Sequence, residues 1–211
     1  MILTLSLILM IIVISYLIGS IPFGYLIGQI KGIDIRKHGS GNIGTTNVWR
    51  TLGAGYGLAA FACDFGKGVL AFYLGAWVGS SFTGYWIGLE YLGLITGAAA
   101  LVGHSWSIFL HFSGGKIVAT GAGVVLAISP LTLLTVLAIW GLVLLLSRYV
   151  SLSSIAAALA LPAAIYIWEK DWVLFIFAIL TALTLLFKHW PNIKRLAAGQ
   201  EFKLGSSKKS K

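Results

Sequence analysis

Long apolar stretches alternate with three short polar segments along this chain. The hydrocarbon core of a membrane is about 30 Å thick and takes about 20 apolar residues per helix. Seven stretches of this kind occur without a charge at mid-membrane, at residues 2–28, 58–79, 85–102, 118–128, 131–146, 152–168 and 172–187. The pattern predicts an all-α polytopic membrane protein with seven transmembrane helices.

Two of these stretches depart from the usual length. The first is overlong and contains Gly19 and Pro22, so we expect a kink or tilt there. The fourth is too short to span alone, and Ser129 with Pro130 suits a tight turn after it. A six-helix alternative, in which the fourth stretch is re-entrant, stays open.

Composition also indicates a membrane protein. Hydrophobic residues make up 58% of the 211 positions and charged residues 10%, and the mean hydropathy is +0.94. A soluble core of this size could not hide so much apolar surface. The first stretch lacks a basic leader and an A-x-A cleavage site, so we expect it in the mature protein. We expect one membrane domain over residues 1–202 and a basic, disordered tail over residues 203–211.

The distribution of charge predicts the orientation. No Lys or Arg precedes Lys31, whereas the loop after the first stretch carries several, and the loops on the opposite side have only Lys170. The positive-inside rule therefore predicts an outside N-terminus, and seven spans then place the C-terminus in the cytoplasm. This topology and contact with anionic lipids explain the net charge of +9, so we expect membrane lipids and no nucleic acid as partners.

The first polar segment, residues 31–50, contains the pattern G-x-G-x-x-G at residues 39–44. A dinucleotide site needs a buried strand and a βαβ unit around such glycines, and apolar helices flank them here, so we reject that interpretation. The glycines still let backbone N–H groups converge on an anion. The guanidinium group of Arg50 has paired N–H donors whose geometry suits phosphate. Short polar side chains add donors: Ser40, Asn42, Thr45, Thr46 and Asn47. A flexible turn with helix-capping side chains is the alternative.

The second polar segment, residues 103–116, ends in Gly114, Gly115 and Lys116, just before the fourth apolar stretch. Backbone donors at a helix N-terminus with a lysine beside them favour phosphate. A lysine that snorkels to the interface is the alternative. His104 is a candidate general base or a partner of the helix dipole. The four dispersed histidines and the single cysteine form no metal motif, so we expect no metal.

The third polar segment, residues 188–211, begins where the last apolar stretch ends. His189 and Asn192 are three positions apart and face one way in a helix or turn, although Asn192 after Pro191 also suits a turn or cap. Three basic residues nearby suit anchoring in the lipid headgroup plane: Lys188, Lys194 and Arg195.

Two opposite charges lie near the start of the second apolar stretch. Asp64 and Lys67 are three positions apart. Charges near membrane depth are costly and are usually functional or paired with one another. An internal ion pair and a functional role are both open.

Four motifs, in order along nearly the whole chain, resemble the bacterial acyl-phosphate:glycerol-3-phosphate acyltransferases of the PlsY type. They are Gly39-Ser-Gly-Asn-Ile-Gly-Thr-Thr-Asn47 with Arg50, Asp64-x-x-Lys67-Gly68, Gly103-His104 through Gly114-Gly115-Lys116-x-Val-Ala-Thr120, and His189-x-x-Asn192 with Gly199-x-Glu201. The resemblance implies a seven-span enzyme of the bacterial inner membrane with its active site on the cytoplasmic face. It implies acyl transfer from acyl phosphate to the sn-1 hydroxyl of glycerol 3-phosphate, giving lysophosphatidic acid and phosphate without acyl-CoA.

The sequence departs from this family pattern at three positions. The pattern has Pro at Ser107, Lys at Ser113 and Gly at Ile117. The loop therefore has one positive charge fewer than the family pattern, and a larger side chain precedes its helix. We expect these departures to affect substrate affinity more than the type of reaction.

The resemblance, together with the residue chemistry, assigns the site. The catalytic candidates are Ser40, Arg50, Lys116, His189 and Asn192. The substrate-binding candidates are Gly39, Gly41, Asn42, Thr46, Asn47, Lys67, His104, Gly114 and Gly115. Acyl phosphate has a good leaving group, so the reaction needs positioning and charge stabilisation and no cofactor. The resemblance implies that substrate phosphate accepts the hydroxyl proton, with His104 as the competing base. An acyl-enzyme on Ser40 is the less favoured route.

Two other function classes are open from the residues alone. A phosphate-ester transporter also holds basic residues near glycine-rich breaks, but it would place polar residues at the midplane of its spans, and the last three apolar stretches have almost none. A lipid-binding scaffold explains the basic face but not the short donors between glycines.

Overall fold

The apolar stretches form helices in the computed structural model, which describes residues 2–81 and 91–205. Within those residues the chain has ten α-helices and no β-strand. They are α1 (Ile2–Ser20), α2 (Phe23–Ile30), α3 (Thr45–Leu52), α4 (Ala54–Ser80), α5 (Leu92–Ser105), α6 (Val118–Ile128), α7 (Pro130–Ser147), α8 (Val150–Glu169), α9 (Trp172–Lys188) and α10 (Trp190–Ala197). Two 3₁₀ turns, Ile35–Lys37 and Ile108–Leu110, lie in the first two polar segments.

The helices belong to two compact units. The first unit, Met1–Ile128, contains α1 to α6, and the second, Ser129–Lys211, contains α7 to α10. The first and second polar segments therefore belong to the first unit. The third polar segment belongs to the second unit.

The helices differ in their capacity to cross a membrane. Three of them, α4, α7 and α8, are long and apolar enough by themselves. The pairs α1–α2 and α9–α10 qualify as single spans with bends of 41° and 58°, whereas α5 and α6 are apolar but only 14 and 11 residues long. The described residues thus form an all-helical membrane protein with three to five candidate spans, fewer than the seven predicted. The start of the predicted third span, residues 85–90, lies outside the described residues.

The first predicted span is broken at Ile21 and Pro22, which confirms the predicted bend. Proline has no N–H to donate, and the end of a helix leaves carbonyl groups without helical donors. Two side chains from other parts of the first unit supply donors. Ser107 Oγ donates to the carbonyl of Ser20, and Lys67 Nζ donates to the carbonyl of Ile21 at 2.9 Å. The bend is therefore held by α4 and by the segment after α5.

Helix α4 starts at Ala54, earlier than the predicted boundary at residue 58. Asp64 and Lys67 consequently lie well inside the helix rather than at its start. The helix passes so close to α6 that a Cβ atom at Gly68 would overlap the carbonyl oxygen of Thr120. Small residues permit such close crossings in membrane proteins, and this crossing brings the charges of α4 near the start of α6.

A buried apolar cluster underlies the first two polar segments. Its members come from the first loop, α3, α4 and the turn after α5: Ile35, Ile43, Val48, Ala60 and Leu110. Burial of these side chains ties the two segments to one common base.

The second unit begins with the predicted tight turn. Ser129 Oγ accepts a hydrogen bond from the backbone N–H of Thr132 at 3.2 Å, and Pro130 is the first residue of α7. A side-chain acceptor before a proline-started helix is a favourable helix start. The turn prediction is confirmed.

The predicted tail is described as far as residue 205. Leu204 donates its N–H to the carbonyl of Arg148 at 2.7 Å, and Arg148 Nη2 donates to the carbonyl of Leu204 at 3.0 Å. These two bonds attach the start of the tail to the turn between α7 and α8. Residues 206–211 lie outside the described part of the chain.

Candidate active site

The first polar loop is organised by the side chain of Asn47, in the first turn of α3. Its Nδ2 atom lies 3.2, 3.0 and 2.8 Å from the carbonyl oxygens of Ile35, His38 and Asn42, and its Oδ1 atom accepts the N–H of Ser40 at 2.8 Å. The side chain is buried. We call residues 35–47 the Asn47 loop. Because its polar atoms contact the loop backbone, Asn47 shapes the site rather than presenting a donor to a ligand.

Two glycines in the Asn47 loop have left-handed backbone conformations. Gly39 has φ +58° and Gly41 has φ +73°. A Cβ atom at Gly39 would also overlap Asn47 Oδ1. Asn42 stabilises the next turn because its Oδ1 accepts the N–H of Gly44 at 2.8 Å. The glycine-rich sequence is therefore required by the loop geometry, whatever ligand it receives.

The candidates for ligand contact lie at the surface of this loop. Ser40 and Thr46 are half-buried and Arg50 is exposed. Thr46 and Arg50 are four positions apart on α3, so they lie on one helix face. This face, next to the loop that carries Ser40, carries a hydroxyl group and a guanidinium group.

A buried charge cluster joins α4 to α5. Asp64 Oδ1 lies 2.7 Å from Lys67 Nζ and 3.6 Å from His104 Nδ1, and both side chains of the ion pair are 3% exposed. Lys67 Nζ also donates to the Ile21 carbonyl. The internal ion pair considered from the sequence is confirmed. Lys67 is thus held by Asp64 and by the Ile21 carbonyl, and the binding role predicted for it stays a prediction.

The second polar segment differs from its prediction. Gly115 does not present an open donor at a helix start, because its N–H donates to the carbonyl of His104 at 2.9 Å and α6 begins only at Val118. A Cβ atom at Gly115 would overlap His104 Nε2, and one at Gly114 would overlap the His104 carbonyl. These two glycines are therefore needed for contact with His104.

Lys116 follows directly, and we call residues 114–117 the Lys116 segment. Lys116 is half-buried. Its neighbour Ile117 is 1% exposed and has φ +56°. A β-branched residue in the left-handed region is an uncommon, strained conformation. The family pattern has glycine at this position, and the backbone conformation explains why glycine suits it.

The third polar segment forms a separate cluster in the second unit. His189 and Asn192 are both buried, and the N–H of Asn192 donates to the carbonyl of His189 at 2.8 Å. His189 Nδ1 lies 2.9 Å from the carbonyl oxygen of Leu185. Asn192 Nδ2 donates to Glu201 Oε1 at 2.9 Å.

Glu201 is the centre of this cluster, and sequence reasoning gave it no role. Its carboxylate accepts hydrogen bonds from Ser151 Oγ at 3.1 Å, from Asn192, and from Arg195 Nε at 2.7 Å. The guanidinium group of Arg195, which the sequence suggested as a headgroup anchor, pairs with Glu201. The sequence signal was the place of Glu201 in the Gly199-x-Glu201 motif, but nothing in the sequence pointed to Ser151.

Asp34 is unsuited to act as a general base. Arg36 contacts its carboxylate through Nε at 2.9 Å and Nη2 at 2.8 Å, and the backbone N–H of Arg36 donates to it at 3.1 Å. The hydrogen bonds from Arg36 lower the pKa of Asp34 to about 2. A carboxylate with so low a pKa is a weak base and is a poor acceptor for the proton of a hydroxyl group.

The chain is similar to known proteins over almost its whole length. A family model described as glycerol-3-phosphate acyltransferase matches residues 9–199. The glycerol-3-phosphate acyltransferase of Desulforudis audaxviator is 50% identical over 195 residues, which cover 92% of this chain and 94% of that protein. The enzyme of the same name from Desulforamulus reducens is 46% identical over 200 residues, with 94% and 96% covered.

Two solved structures have the same fold. Both are PlsY, an integral membrane glycerol 3-phosphate acyltransferase, in a glycerol 3-phosphate form and a lysophosphatidic acid form. The first has a TM-score of 0.85 and 37% identity and covers 94% of this chain and 96% of that one. The second has a TM-score of 0.83 and 36% identity and covers 94% and 95%.

Proposed function

The chain belongs to the glycerol-3-phosphate acyltransferase family, and from this premise we propose that it transfers a fatty acyl group from acyl phosphate to the sn-1 hydroxyl of glycerol 3-phosphate. The products are lysophosphatidic acid and inorganic phosphate. The observation that carries the proposal is the family match over residues 9–199, which includes every candidate residue. No feature of the described residues favours the transporter or the scaffold.

The chemistry needs few protein groups. The glycerol oxygen forms a bond to the acyl carbonyl carbon, and the bond from that carbon to the phosphate oxygen breaks. Phosphate leaves with the electron pair, and the hydroxyl proton passes to a phosphate oxygen. Acyl phosphate is a mixed anhydride with a good leaving group, so positioning and charge stabilisation are sufficient. We expect no cofactor and no metal.

Arg50 and Lys116 are the proposed cationic partners of the substrate phosphates. Arg50 offers paired donors in a fork that suits phosphate, and Lys116 offers a point charge. Ser40 is the proposed hydroxyl donor, and its backbone N–H donates to Asn47 Oδ1. The flanking groups proposed to line the site are Gly39, Gly41, Asn42 and Thr46.

His104 is a poor candidate for the proton acceptor. Its Nδ1 atom faces Asp64, and its Nε2 atom lies against Gly115, so the ring is enclosed on both sides. Substrate phosphate is therefore the proposed acceptor. Turnover of a His104→Gln variant should fall by the same factor at all pH values, and loss of one limb of its pH profile near the imidazole pKa of about 6.5 would identify His104 as the base instead.

His189 and Asn192 are proposed as further catalytic residues. Burial and the bond from Asn192 to Glu201 fix their orientations. His189→Gln and Asn192→Leu should each lower kcat by about tenfold or more, as the loss of a charge-assisted hydrogen bond does. Lys194→Gln, on the same short helix, is the matched control. Normal turnover in the first two variants would remove both residues from the mechanism.

We also propose that the chain has seven spans, with its N-terminus outside and the site on the cytoplasmic face of the bacterial inner membrane. The five candidate spans together with the short helices α5 and α6 support this count. Cysteine at position 40, 113 or 206 in a Cys63→Ala background should react with an impermeant maleimide from the cytoplasmic side only. Labelling of these positions from different sides would rule out the topology.

One assay tests the function. Purified protein receives palmitoyl phosphate and labelled glycerol 3-phosphate, and lysophosphatidic acid is measured in the absence of acyl-CoA. Arg50→Ala should lose activity, whereas Arg36→Ala, an arginine in the same loop that pairs with Asp34, should keep it. Product formed only from palmitoyl-CoA would overturn the proposed donor, and no product from either donor would overturn the function.

A further inference from the structure

Lys116 lies between two neighbours whose positions are fixed. On its N-terminal side, the N–H of Gly115 donates to the carbonyl of His104, and the glycine packs so closely on the imidazole that a Cβ atom would overlap Nε2. On its C-terminal side, Ile117 is almost completely buried. The Cα atom of Lys116 is therefore restrained from both sides.

The C-terminal restraint involves a strained residue. Ile117 has φ +56°, a conformation that a β-branched side chain adopts only when its surroundings enforce it. Its carbonyl accepts the N–H of Gly121 at 2.7 Å, so Ile117 also connects Lys116 to α6. A buried side chain in a strained backbone at the base of a candidate catalytic lysine indicates a functional constraint.

The N-terminal restraint rests on the buried charge cluster. Asp64 contacts the Nδ1 side of His104, and Lys67 contacts Asp64. Both charges belong to α4, which crosses α6 closely near Gly68. The imidazole that supports Gly115 is thus fixed by a helix distant in sequence.

We propose that Ile117 and His104 are positioning residues that hold the backbone of Lys116 from its two sides and so fix where its ammonium group meets substrate phosphate. Lysine has a long, flexible side chain. Each restraint on its backbone reduces the conformational entropy that the residue would otherwise lose when substrate binds. The inference rests on the proposed function of Lys116.

The test compares substitutions of similar kind, a branched aliphatic side chain to glycine, at two buried positions. Ile117→Gly relieves the backbone strain but removes the buried anchor, and we expect kcat/KM to fall about tenfold. Ile117→Val keeps a branched, buried anchor and should stay within about twofold of the wild type. Val125→Gly removes a buried side chain from α6, the helix that follows Ile117, without adjoining Lys116, so it should lower the thermal unfolding temperature and leave kcat/KM unchanged.

A double-substitution cycle separates positioning from general stability. Ile117→Gly and His104→Gln are each measured in the wild type and in a Lys116→Gln background, with kcat and KM determined for both substrates. If the two residues act through Lys116, their effects should largely disappear in that background. Folding of each variant is checked by thermal unfolding in detergent.

The outcomes distinguish a failure of the positioning role from a failure of the proposed function. Equal losses of kcat/KM in Val125→Gly and Ile117→Gly, or an undiminished effect of Ile117→Gly in the Lys116→Gln background, would overturn the positioning role and leave the proposed function intact. Unchanged kcat/KM in Lys116→Gln alone would instead remove Lys116 from the proposed function.

Discussion

The Asn47 loop and the Lys116 segment each adjoin or contain a candidate phosphate-binding cation, but different interactions stabilise them. In the Asn47 loop one buried amide contacts four backbone groups. In the Lys116 segment two glycines pack on His104, and a buried isoleucine adopts a left-handed backbone. The Asn47 loop depends on the hydrogen bonds of one side chain. The Lys116 segment depends on two glycines that have no side chain to overlap His104.

This difference predicts different sensitivities to substitution. A hydrogen-bonding residue at the centre of a loop has no substitute of equal chemistry, so its loss affects every backbone group that it contacts. A closely packed glycine is disturbed only by a substitution that adds side-chain volume. Four substitutions break or sharpen the comparison.

The largest effect is expected for Asn47→Ala. A hydrogen bond contributes about 1 kcal/mol net and a buried group left unsatisfied costs about 1–3 kcal/mol. We expect the free energy of unfolding to fall by about 3 kcal/mol or more and turnover to fall by about a hundredfold. Turnover and thermal unfolding in detergent are the measurements.

The matched control for Asn47 is Gln29→Ala. This exposed amide makes a single weak contact, 3.4 Å from Nε2 to the carbonyl of Ile33, so turnover and unfolding should not change. Near-normal turnover in Asn47→Ala would mean that the loop does not depend on this side chain.

The next effect is expected for Gly115→Ala. The added methyl group would overlap His104 Nε2, and overpacking of this kind costs about 1–3 kcal/mol. We expect kcat/KM to fall by a few tens of fold, on the order of 2 kcal/mol. Gly66→Ala on α4 is the control, because nothing lies within 4 Å of a Cβ atom there. Equal activity in the two alanine variants would show that the packing on His104 is not required.

A smaller effect is expected for Arg50→Lys. Lysine keeps the charge but cannot reproduce a forked pair of hydrogen bonds. The loss of a charge-assisted hydrogen bond, about 1.5–3 kcal/mol, corresponds to a fall in kcat/KM of about tenfold or more. Arg36→Lys is the control in the same loop and should have little effect. Unchanged kcat/KM in Arg50→Lys would argue against bidentate contact with phosphate.

The smallest effect concerns the exposed pair of Asp34 and Arg36. Arg36 lowers the pKa of Asp34 from 3.8 to about 2. The stabilisation is therefore present above pH 3.8, the value for the unfolded chain, and is lost as the pH falls through about 2. We expect the small difference in unfolding temperature between the wild type and Asp34→Asn to shrink over that range. A difference that stays constant with pH would show that the pair contributes nothing through ionisation.

Much of the fold and the location of the site were predictable from the sequence. Apolar length and composition predicted the helices to within a few residues at most boundaries, and Pro22 predicted the bend in the first span. Polar residues between apolar stretches marked the segments that carry the candidates. These signals are local, so one chain suffices to detect them.

The direction in which each polar side chain points was not predictable. Asn47 carries the same donors whether it faces a ligand or its own loop, and only the fold shows that it contacts the carbonyl of Ile35, twelve positions away. The N–H of Gly115 suggested an open anion site until the carbonyl of His104 was found beside it. Likewise, the pairing of Arg195 with Glu201 depends on how the chain turns after α10. Each of these depends on tertiary contacts that spacing does not encode.

The bend at Ile21 and Pro22 has a consequence for biogenesis. Its two carbonyl groups accept from side chains that are synthesised 46 and 87 residues later. A backbone group without a partner in a membrane costs several kcal/mol, so a nascent chain that ends before Ser107 lacks part of what stabilises the bend. This broken span therefore reaches its final shape only after α4 and the segment after α5 have been synthesised. A chain truncated after Ser81 should protect Tyr16 to Phe23 less from hydrogen exchange than the full chain does.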